Sequence, residues 1–125
     1  REQVVGSDGV MLGGQPHPRG YGTFARVLGV YVREKGALEL EEAVRKMTWA
    51  PAGRIGLTDR GLLLPGWKAD IALFDPQEII DQSTYEQGKL PPKGMHYVIV
   101  NGQVVIDDGE HTGARQGRAL RRGRA

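Results

Sequence analysis

The chain has no cysteine among its 125 residues, which excludes disulfides, thiolate metal sites and cysteine nucleophiles formed by this sequence. It has no apolar run near the roughly 18–20 residues that a membrane-spanning helix needs. Its start at Arg1 shows no secretory signal, so the expected location is the cytoplasm, with no membrane partner. A whole TIM barrel takes about 200 residues or more. We therefore expect one small domain or a part of a larger one.

Acidic residues are absent from the last part of the chain. Residues 113–125 contain five arginines and no Asp or Glu, whereas the whole chain has 17 Lys+Arg and 15 Asp+Glu, for a formal net charge of +2. Removing the five tail arginines leaves −3 for residues 1–112. The tail also lacks aromatic residues that could stack on bases. We interpret residues 113–125 as a solvent-exposed basic tail and expect no nucleic-acid partner.

The beginning of the sequence predicts a strand followed by a loop. Apolar residues predict a short buried strand over residues 3–9, ending in a polar turn around Asp8. Glycines and prolines are then so frequent, up to residue 22, that neither a helix nor a strand is expected there. This loop contains two further side chains that could take part in binding or catalysis, His17 and Arg19.

Helical periodicity begins after the loop. Thr23 is a candidate N-cap, and the first helix should end at Gly36, because glycine favours the left-handed conformation of a C-terminal cap. A second helix is predicted from about residue 38 or 39 and should end before Pro51. Pro51 should open a third helical turn, ended by Gly56. The first unit of the chain is thus expected to be residues 1–57.

The second unit, residues 58–112, predicts a small antiparallel β unit. The expected strands are residues 70–75, 96–100 and 103–106, with irregular residues at 77–94. The last two strands form a hairpin around Asn101-Gly102, since both residue types tolerate the positive φ angles of a two-residue turn. Residues 107–109 are expected to end the second strand of this hairpin.

Two residues of the first loop are candidates for a functional site. Asp8 follows an apolar strand, and a carboxylate at the C-terminal end of a barrel-like strand is well placed to act as a general base or a metal ligand. The alternative is an aspartate that stabilises a turn. Arg19 could bind a carboxylate or phosphate through two parallel hydrogen bonds, or it could be a solvent-exposed loop residue.

Other constellations are excluded by spacing. The three histidines, at positions 17, 96 and 111, have no metal-ligand spacing such as HxH or HExxH. Ser7, Asp8 and His17 do not form a hydrolase triad, because the sequence has no GxSxG elbow. The glycines of the first loop match neither a P-loop nor a dinucleotide-binding fingerprint. From the residues alone, no complete catalytic constellation is present.

The order of motifs resembles the C-terminal part of N-acyl-D-amino-acid deacylases, or D-aminoacylases, of the metal-dependent amidohydrolase superfamily. The motifs are Gly-Ser-Asp-Gly at 6–9, His-Pro-Arg-Gly-Tyr-Gly-Thr-Phe at 17–24, Leu-Glu-Glu-Ala-Val-Arg-Lys-Met-Thr at 40–48, Gly-Leu-Thr-Asp-Arg-Gly at 56–61, Pro-Gly-Trp-Lys-Ala-Asp-Ile at 65–71, Val-Ile-Val-Asn-Gly at 98–102 and Gly-Glu-His-Thr-Gly-Ala-Arg at 109–115. The Ala-Asp-Ile and Val-Asn-Gly motifs occur in many amidohydrolases. The His-Pro-Arg and Gly-Glu-His-Thr-Gly motifs point to the D-aminoacylase branch.

This resemblance implies an α/β fold built from parts of two structures. Residues 4–9 would be the eighth strand of an amidohydrolase TIM barrel, and the helices up to residue 57 would complete its wall. Residues 58–112 would belong to the C-terminal part of the small β-sandwich that flanks the barrel. The chain's partners would be the remainder of the barrel and a small-molecule substrate, with the oligomeric state open.

The resemblance also implies a mechanism. Asp8 would be the general base at a zinc site, and a candidate metal ligand. It would take a proton from a zinc-activated water and pass it to the leaving amine. Arg19 would bind the α-carboxylate of the substrate. The family's other ligands, an HxH pair, a cysteine and further histidines, are not in this sequence. The chain by itself is therefore expected to bind no zinc tightly and to be inactive.

Two other functions stay open at this point. One is a cyclic amidohydrolase of the hydantoinase or dihydroorotase type. The other is a non-catalytic binding or assembly module, suggested by the incomplete metal site and the basic tail.

Overall fold

The computed structural model describes residues 3–10 and 13–121 and places helices before a sheet, as expected. The helices are α1 (Arg19–Arg26), which continues as a π-helical segment (Val27–Glu34), α2 (Leu40–Met47) and α3 (Trp49–Ile55). The strands are β1 (Ile71–Phe74), β2 (Met95–Val100), β3 (Gln103–Asp107) and β4 (Glu110–His111). The end of the predicted basic tail, residues 122–125, lies outside the described residues. No helix in the described ranges is long and apolar enough to span a membrane.

The predicted strand over residues 3–9 is wrong for this structure, because residues 3–10 have no regular secondary structure. Val4 is 38% exposed rather than buried. The segment instead lies along α2, where the Val5 N–H donates to the Lys46 carbonyl at 3.1 Å and Lys46 Nζ donates to the Gln3 carbonyl at 2.9 Å. A strand requires a neighbouring strand for its backbone hydrogen bonds, and none of the described strands lies beside this segment.

The first helix begins four residues earlier than its predicted cap. Thr23 lies inside α1, and its Oγ1 donates to the Arg19 carbonyl at 2.8 Å instead of capping the helix. Pro18 is at the N-cap position with φ −51°, close to the angle that its ring imposes and that a helix requires. Arg19 is therefore the first residue of a helix, not a loop residue as the sequence predicted.

The predicted helix ends agree with the structure. Gly36 has φ +56°, and the following Ala37 N–H donates to the Tyr31 carbonyl at 2.8 Å, which closes the turn after the π-helical segment. α2 begins at Leu40, one or two residues after its predicted start, and Glu39 is at its N-cap. The predicted start of α3 is wrong, because α3 begins at Trp49 and Pro51 is its third residue, whereas Gly56 ends it with φ +82° as predicted.

The first helix packs closely on the segment before β2. Ala25 and Leu28 form a buried cluster with Ala43 and Ile79. A Cβ at Gly29 would lie 2.5 Å from the Ile79 carbonyl oxygen, so only glycine allows this approach of the two backbones. Arg33 Nη1 donates to the same carbonyl at 2.7 Å. These contacts fix the direction of the helix that begins at Arg19.

The four strands form an antiparallel meander in the order β1-β2-β3-β4. The predicted turn between β2 and β3 is confirmed, with φ +50° at Asn101 and +82° at Gly102. β4 was not predicted. It follows a second two-residue turn, Asp108-Gly109, with φ +45° and +84°. Asp-Gly is as strong a turn signal as Asn-Gly, so this second hairpin could have been predicted from the sequence.

A polar cluster ties the sheet to its flanking segments. The guanidinium of Arg60 pairs with the Asp70 carboxylate, and its Nη2 donates to Asn101 Oδ1 at 2.6 Å. The Asn101 N–H donates to Asp70 Oδ1 at 2.8 Å, and Asn101 Nδ2 donates to the Gln116 carbonyl at 2.6 Å. The cluster therefore holds the beginning of the predicted tail against the hairpin turn.

Candidate functional site

The structure brings the two predicted site residues together. Arg19 Nη2 lies 3.1 Å from Asp8 Oδ2. Both side chains are accessible, at 42% exposure for Arg19 and 84% for Asp8. A guanidinium and a carboxylate that lie side by side and face solvent can both reach a ligand without rearrangement of the fold.

Asp8 has an uncommon backbone conformation. Its φ of +48° lies in the left-handed region, which aspartate and asparagine tolerate better than most residues other than glycine. The Gly9 N–H donates to the hydroxyl of Ser7 at 3.3 Å, which closes a small turn around Asp8. This turn directs the Asp8 side chain to the first turn of α1.

Arg19 is held by the beginning of α1. Its backbone N–H donates to His17 Nδ1 at 3.1 Å, and its carbonyl accepts the hydrogen bond from Thr23. The Gly22 N–H donates to the Pro18 carbonyl at 2.9 Å. The guanidinium therefore extends from an ordered helical turn.

The other two histidines lie in the sheet. Nδ1 of His96 is 3.7 Å from Asp108 Oδ1, and Nδ1 of His111 accepts a hydrogen bond from the Gly113 N–H at 2.8 Å. Within the described ranges, no group of three or more His, Cys, Asp or Glu side chains could hold a metal ion. Asp8 is thus one candidate oxygen ligand, and within these ranges it belongs to no such group.

Sequence reasoning missed one neighbour of the site. The ring of Tyr85 contacts the ring of His17 edge to face, with 5.0 Å between centroids and an interplanar angle of 79°. Tyr85 lies in the polar stretch predicted to be irregular, far along the chain from the first loop. No local pattern indicates such a contact, because it depends on how the connection between β1 and β2 packs against the residues that precede α1.

The geometry can serve a defined chemistry. An accessible carboxylate can accept and release a proton during a reaction, and a guanidinium can bind a carboxylate or phosphate through parallel hydrogen bonds. A model of the amidohydrolase family matches residues 3–106, which include both side chains. The chain belongs to the amidohydrolase family.

The relatives of this chain include N-acyl-D-amino-acid deacylases that match nearly its whole length, which confirms the resemblance found in its motifs. It is 48% identical to an N-acyl-D-aspartate deacylase of Alcaligenes xylosoxydans xylosoxydans, over 98% of this chain and 24% of the relative. It matches a crystal structure of a D-aminoacylase with a TM-score of 0.90 and 45% identity, over 95% of this chain and 25% of that one.

A third match carries a bound metal. The structure of an N-acyl-D-glutamate deacylase from Bordetella bronchiseptica, complexed with zinc and a phosphonate inhibitor that mimics the tetrahedral intermediate, matches with a TM-score of 0.79 and 44% identity. The match covers 86% of this chain and 24% of that one. This amidohydrolase chain thus spans about a quarter of the length of the relatives it matches.

Proposed function

We propose that the chain is the C-terminal part of a zinc-dependent enzyme, below called the intact enzyme, that hydrolyses N-acyl-D-amino acids to a carboxylate and a D-amino acid. The observation that carries this proposal is the contact of Asp8 with Arg19 at 3.1 Å. This contact places a carboxylate that can transfer a proton beside a guanidinium that can bind the carboxylate of an amino acid. The deacylases among the relatives support this choice of substrate.

Arg19 has the role of binding the substrate α-carboxylate. A guanidinium has five N–H donors in a fixed planar arrangement, so Arg19 can hold the substrate carboxylate while it stays close to Asp8. The bound substrate is thereby oriented with its acylated nitrogen next to the carboxylate of Asp8.

Asp8 has the role of the general base. It removes a proton from the water whose oxygen bonds to the acyl carbon, and it delivers this proton to the nitrogen when the C–N bond breaks. The second hydrogen of the water passes from the new carboxyl group to the amine, so the products are a carboxylate and a D-amino acid with a protonated amine, and atoms and protons balance.

Asp8 also fits as one oxygen ligand of zinc, which accepts Asp alongside His and Cys. The other ligands would come from parts of the intact enzyme that this chain does not include. When bound, zinc polarises the scissile carbonyl and makes water more acidic. By itself the chain is expected to be inactive.

The proposal assigns residues 1–57 to the end of a TIM barrel, residues 58–112 to the small β-sandwich and residues 113–125 to the tail. The unpaired segment 3–10 supports the first assignment, since it has the apolar sequence of a strand but no neighbouring strand within the described residues. Exposed apolar side chains on the sheet support the second: Leu73 is 56% and Val104 is 41% exposed. Both features fit a chain that packs against further strands.

A substrate panel tests the proposed function. The zinc-loaded intact enzyme should release D-amino acids from their N-acetyl derivatives at a kcat/KM roughly 100-fold or more above that for the L enantiomers, dihydroorotate or hydantoin. Chelation of zinc should abolish the release, and added zinc should restore it. Faster turnover of the cyclic amides would establish the cyclic amidohydrolase instead. Absence of turnover, with salt-dependent binding to an anionic polymer that requires residues 113–125, would favour a non-catalytic module.

A further inference from the structure

The loop of residues 83–90 lies beside the candidate site and is held by hydrogen bonds between its own residues. Within residues 83–90, the Ser83 hydroxyl donates to the Leu90 carbonyl at 2.9 Å. The Thr84 N–H donates to the Gln87 carbonyl at 3.1 Å, and the Gln87 N–H donates to Thr84 Oγ1 at 3.0 Å. Hydrogen bonds from its own backbone N–H and from the Thr84 side chain lower the pKa of the Glu86 carboxyl. The 83–90 loop is therefore internally fixed and can act as a support.

The 83–90 loop packs on the residues that precede Arg19. Pro16 and Gly88 are both buried, and a Cβ at Gly88 would overlap the Pro16 carbonyl. Next to this backbone contact, the Tyr85 ring meets the His17 ring at 5.0 Å. The backbone contact and the ring contact together place His17 against the 83–90 loop, although the Tyr85 side chain is 72% exposed.

His17 transmits this contact to Arg19. Its Nδ1 accepts the hydrogen bond of the Arg19 N–H at 3.1 Å, and the ring can do so only in the orientation in which Nδ1 faces that N–H. An edge-to-face contact with a tyrosine restricts the rotation of the histidine ring. The orientation of the His17 ring thus affects the position of the Arg19 backbone in the first turn of α1. From this turn the Arg19 guanidinium reaches Asp8.

We propose that Tyr85 and His17 are positioning residues, through which the 83–90 loop holds the first turn of α1 so that Arg19 is oriented to bind the substrate carboxylate. This inference rests on the proposed function for its kinetic part only. The contact itself belongs to the chain whatever its substrate. The site would accordingly depend on both halves of the sequence, although both predicted site residues lie in the first.

The test compares variants of Tyr85 in the intact enzyme. Tyr85→Ala removes the ring contact and should raise KM for N-acyl-D-amino acids about 2- to 10-fold, the range expected for an aromatic pair. Because the chemistry at Asp8 is untouched, kcat should stay within about twofold. An analogue without the α-carboxylate should show no such increase. Tyr85→Phe keeps the ring and should restore the original KM. Tyr31→Ala is the matched control, because Tyr31 is a half-exposed tyrosine after α1 whose ring contacts Lys35 rather than His17.

A second readout does not depend on turnover. Hydrogen exchange at the Arg19 amide should be faster in Tyr85→Ala and in His17→Ala than in the unmodified enzyme, and unchanged in Tyr85→Phe. Combining the two alanine substitutions should add little to His17→Ala alone, because Tyr85 acts through His17.

The outcomes separate the two proposals. An unchanged exchange rate in Tyr85→Ala overturns the positioning role whatever the kinetics show. An unchanged KM in an active enzyme overturns it as well, as does an equal increase for the analogue without the carboxylate. If the unmodified enzyme does not hydrolyse N-acyl-D-amino acids, the proposed function fails. The exchange rate then decides the positioning role alone: faster exchange supports it, and unchanged exchange overturns it.

Discussion

Replacing Asp8 with asparagine in the intact enzyme should abolish useful turnover, with a loss in kcat of roughly 10²- to 10⁴-fold, the contribution of a positioned general base. The amide of asparagine has nearly the same shape but cannot take up the proton from water. Asparagine tolerates the left-handed conformation found at this position as well as aspartate does. The variant should therefore fold, with an unchanged melting temperature.

Asp108→Asn is the matched control for this substitution. Asp108 has a φ of +45° and a side-chain exposure of 85%, almost the same as Asp8, but it lies in the turn between β3 and β4. The chemical change, the exposure and the backbone conformation are thus alike, whereas the location and the neighbouring side chain differ: Arg19 lies beside Asp8 and His96 beside Asp108. Activity of Asp8→Asn near that of Asp108→Asn would refute the role of Asp8 as the base.

Replacing Arg19 with alanine should raise KM for N-acyl-D-amino acids by roughly 100-fold, since hydrogen bonds to charged groups are worth about 1.5–3 kcal/mol. The effect on an analogue without the α-carboxylate should be far smaller, because that analogue never used the guanidinium. Arg19→Lys keeps the charge and loses the planar pair of donors, so its KM should lie between the two. Michaelis–Menten kinetics on the two substrates measure the difference.

Arg26→Ala controls for a general effect on α1. Arg26 lies on the same helix and also contacts a carboxylate at 3.1 Å, that of Asp81. Its loss should affect stability and leave KM unchanged. Equal increases in KM for both substrates in Arg19→Ala, or an increase of the same size in Arg26→Ala, would remove the assignment of Arg19 as the carboxylate anchor.

The elements that sequence reasoning predicted well are those specified by a few neighbouring residues. The Asn101-Gly102 turn and the glycine caps at positions 36 and 56 need a positive φ, and the residue type alone indicates it. The amphipathic pattern of α2 is equally local. These features hold in the structure because no distant contact competes with them.

The errors arose where a distant or competing contact decides the structure. Residues 3–9 have the composition of a strand, but a strand depends on neighbours that the pattern cannot supply. Thr23 has the chemistry of a cap, yet Pro18 begins the helix earlier and leaves the hydroxyl to bond inside it. The Asp108-Gly109 turn was read only as the end of a strand.

The site itself was predicted in part. Asp8 and Arg19 were identified by residue type, by their place in a glycine-rich loop and by resemblance, and the structure brings them within 3.1 Å of each other. Their roles stay predictions until tested. The contact of Tyr85 with His17 could not be predicted, because it joins segments from the two halves of the chain. No periodic pattern in the sequence indicates such a contact.

The most direct test of the central claim is a crystal structure of the zinc-loaded Asp8→Asn intact enzyme with an unhydrolysed N-acyl-D-amino acid. We predict that the substrate carboxylate lies about 2.7–3.2 Å from the guanidinium nitrogens of Arg19, with the scissile amide next to the side chain at position 8. A substrate whose carboxylate is held elsewhere, with Arg19 still facing position 8 alone, would contradict the proposed site.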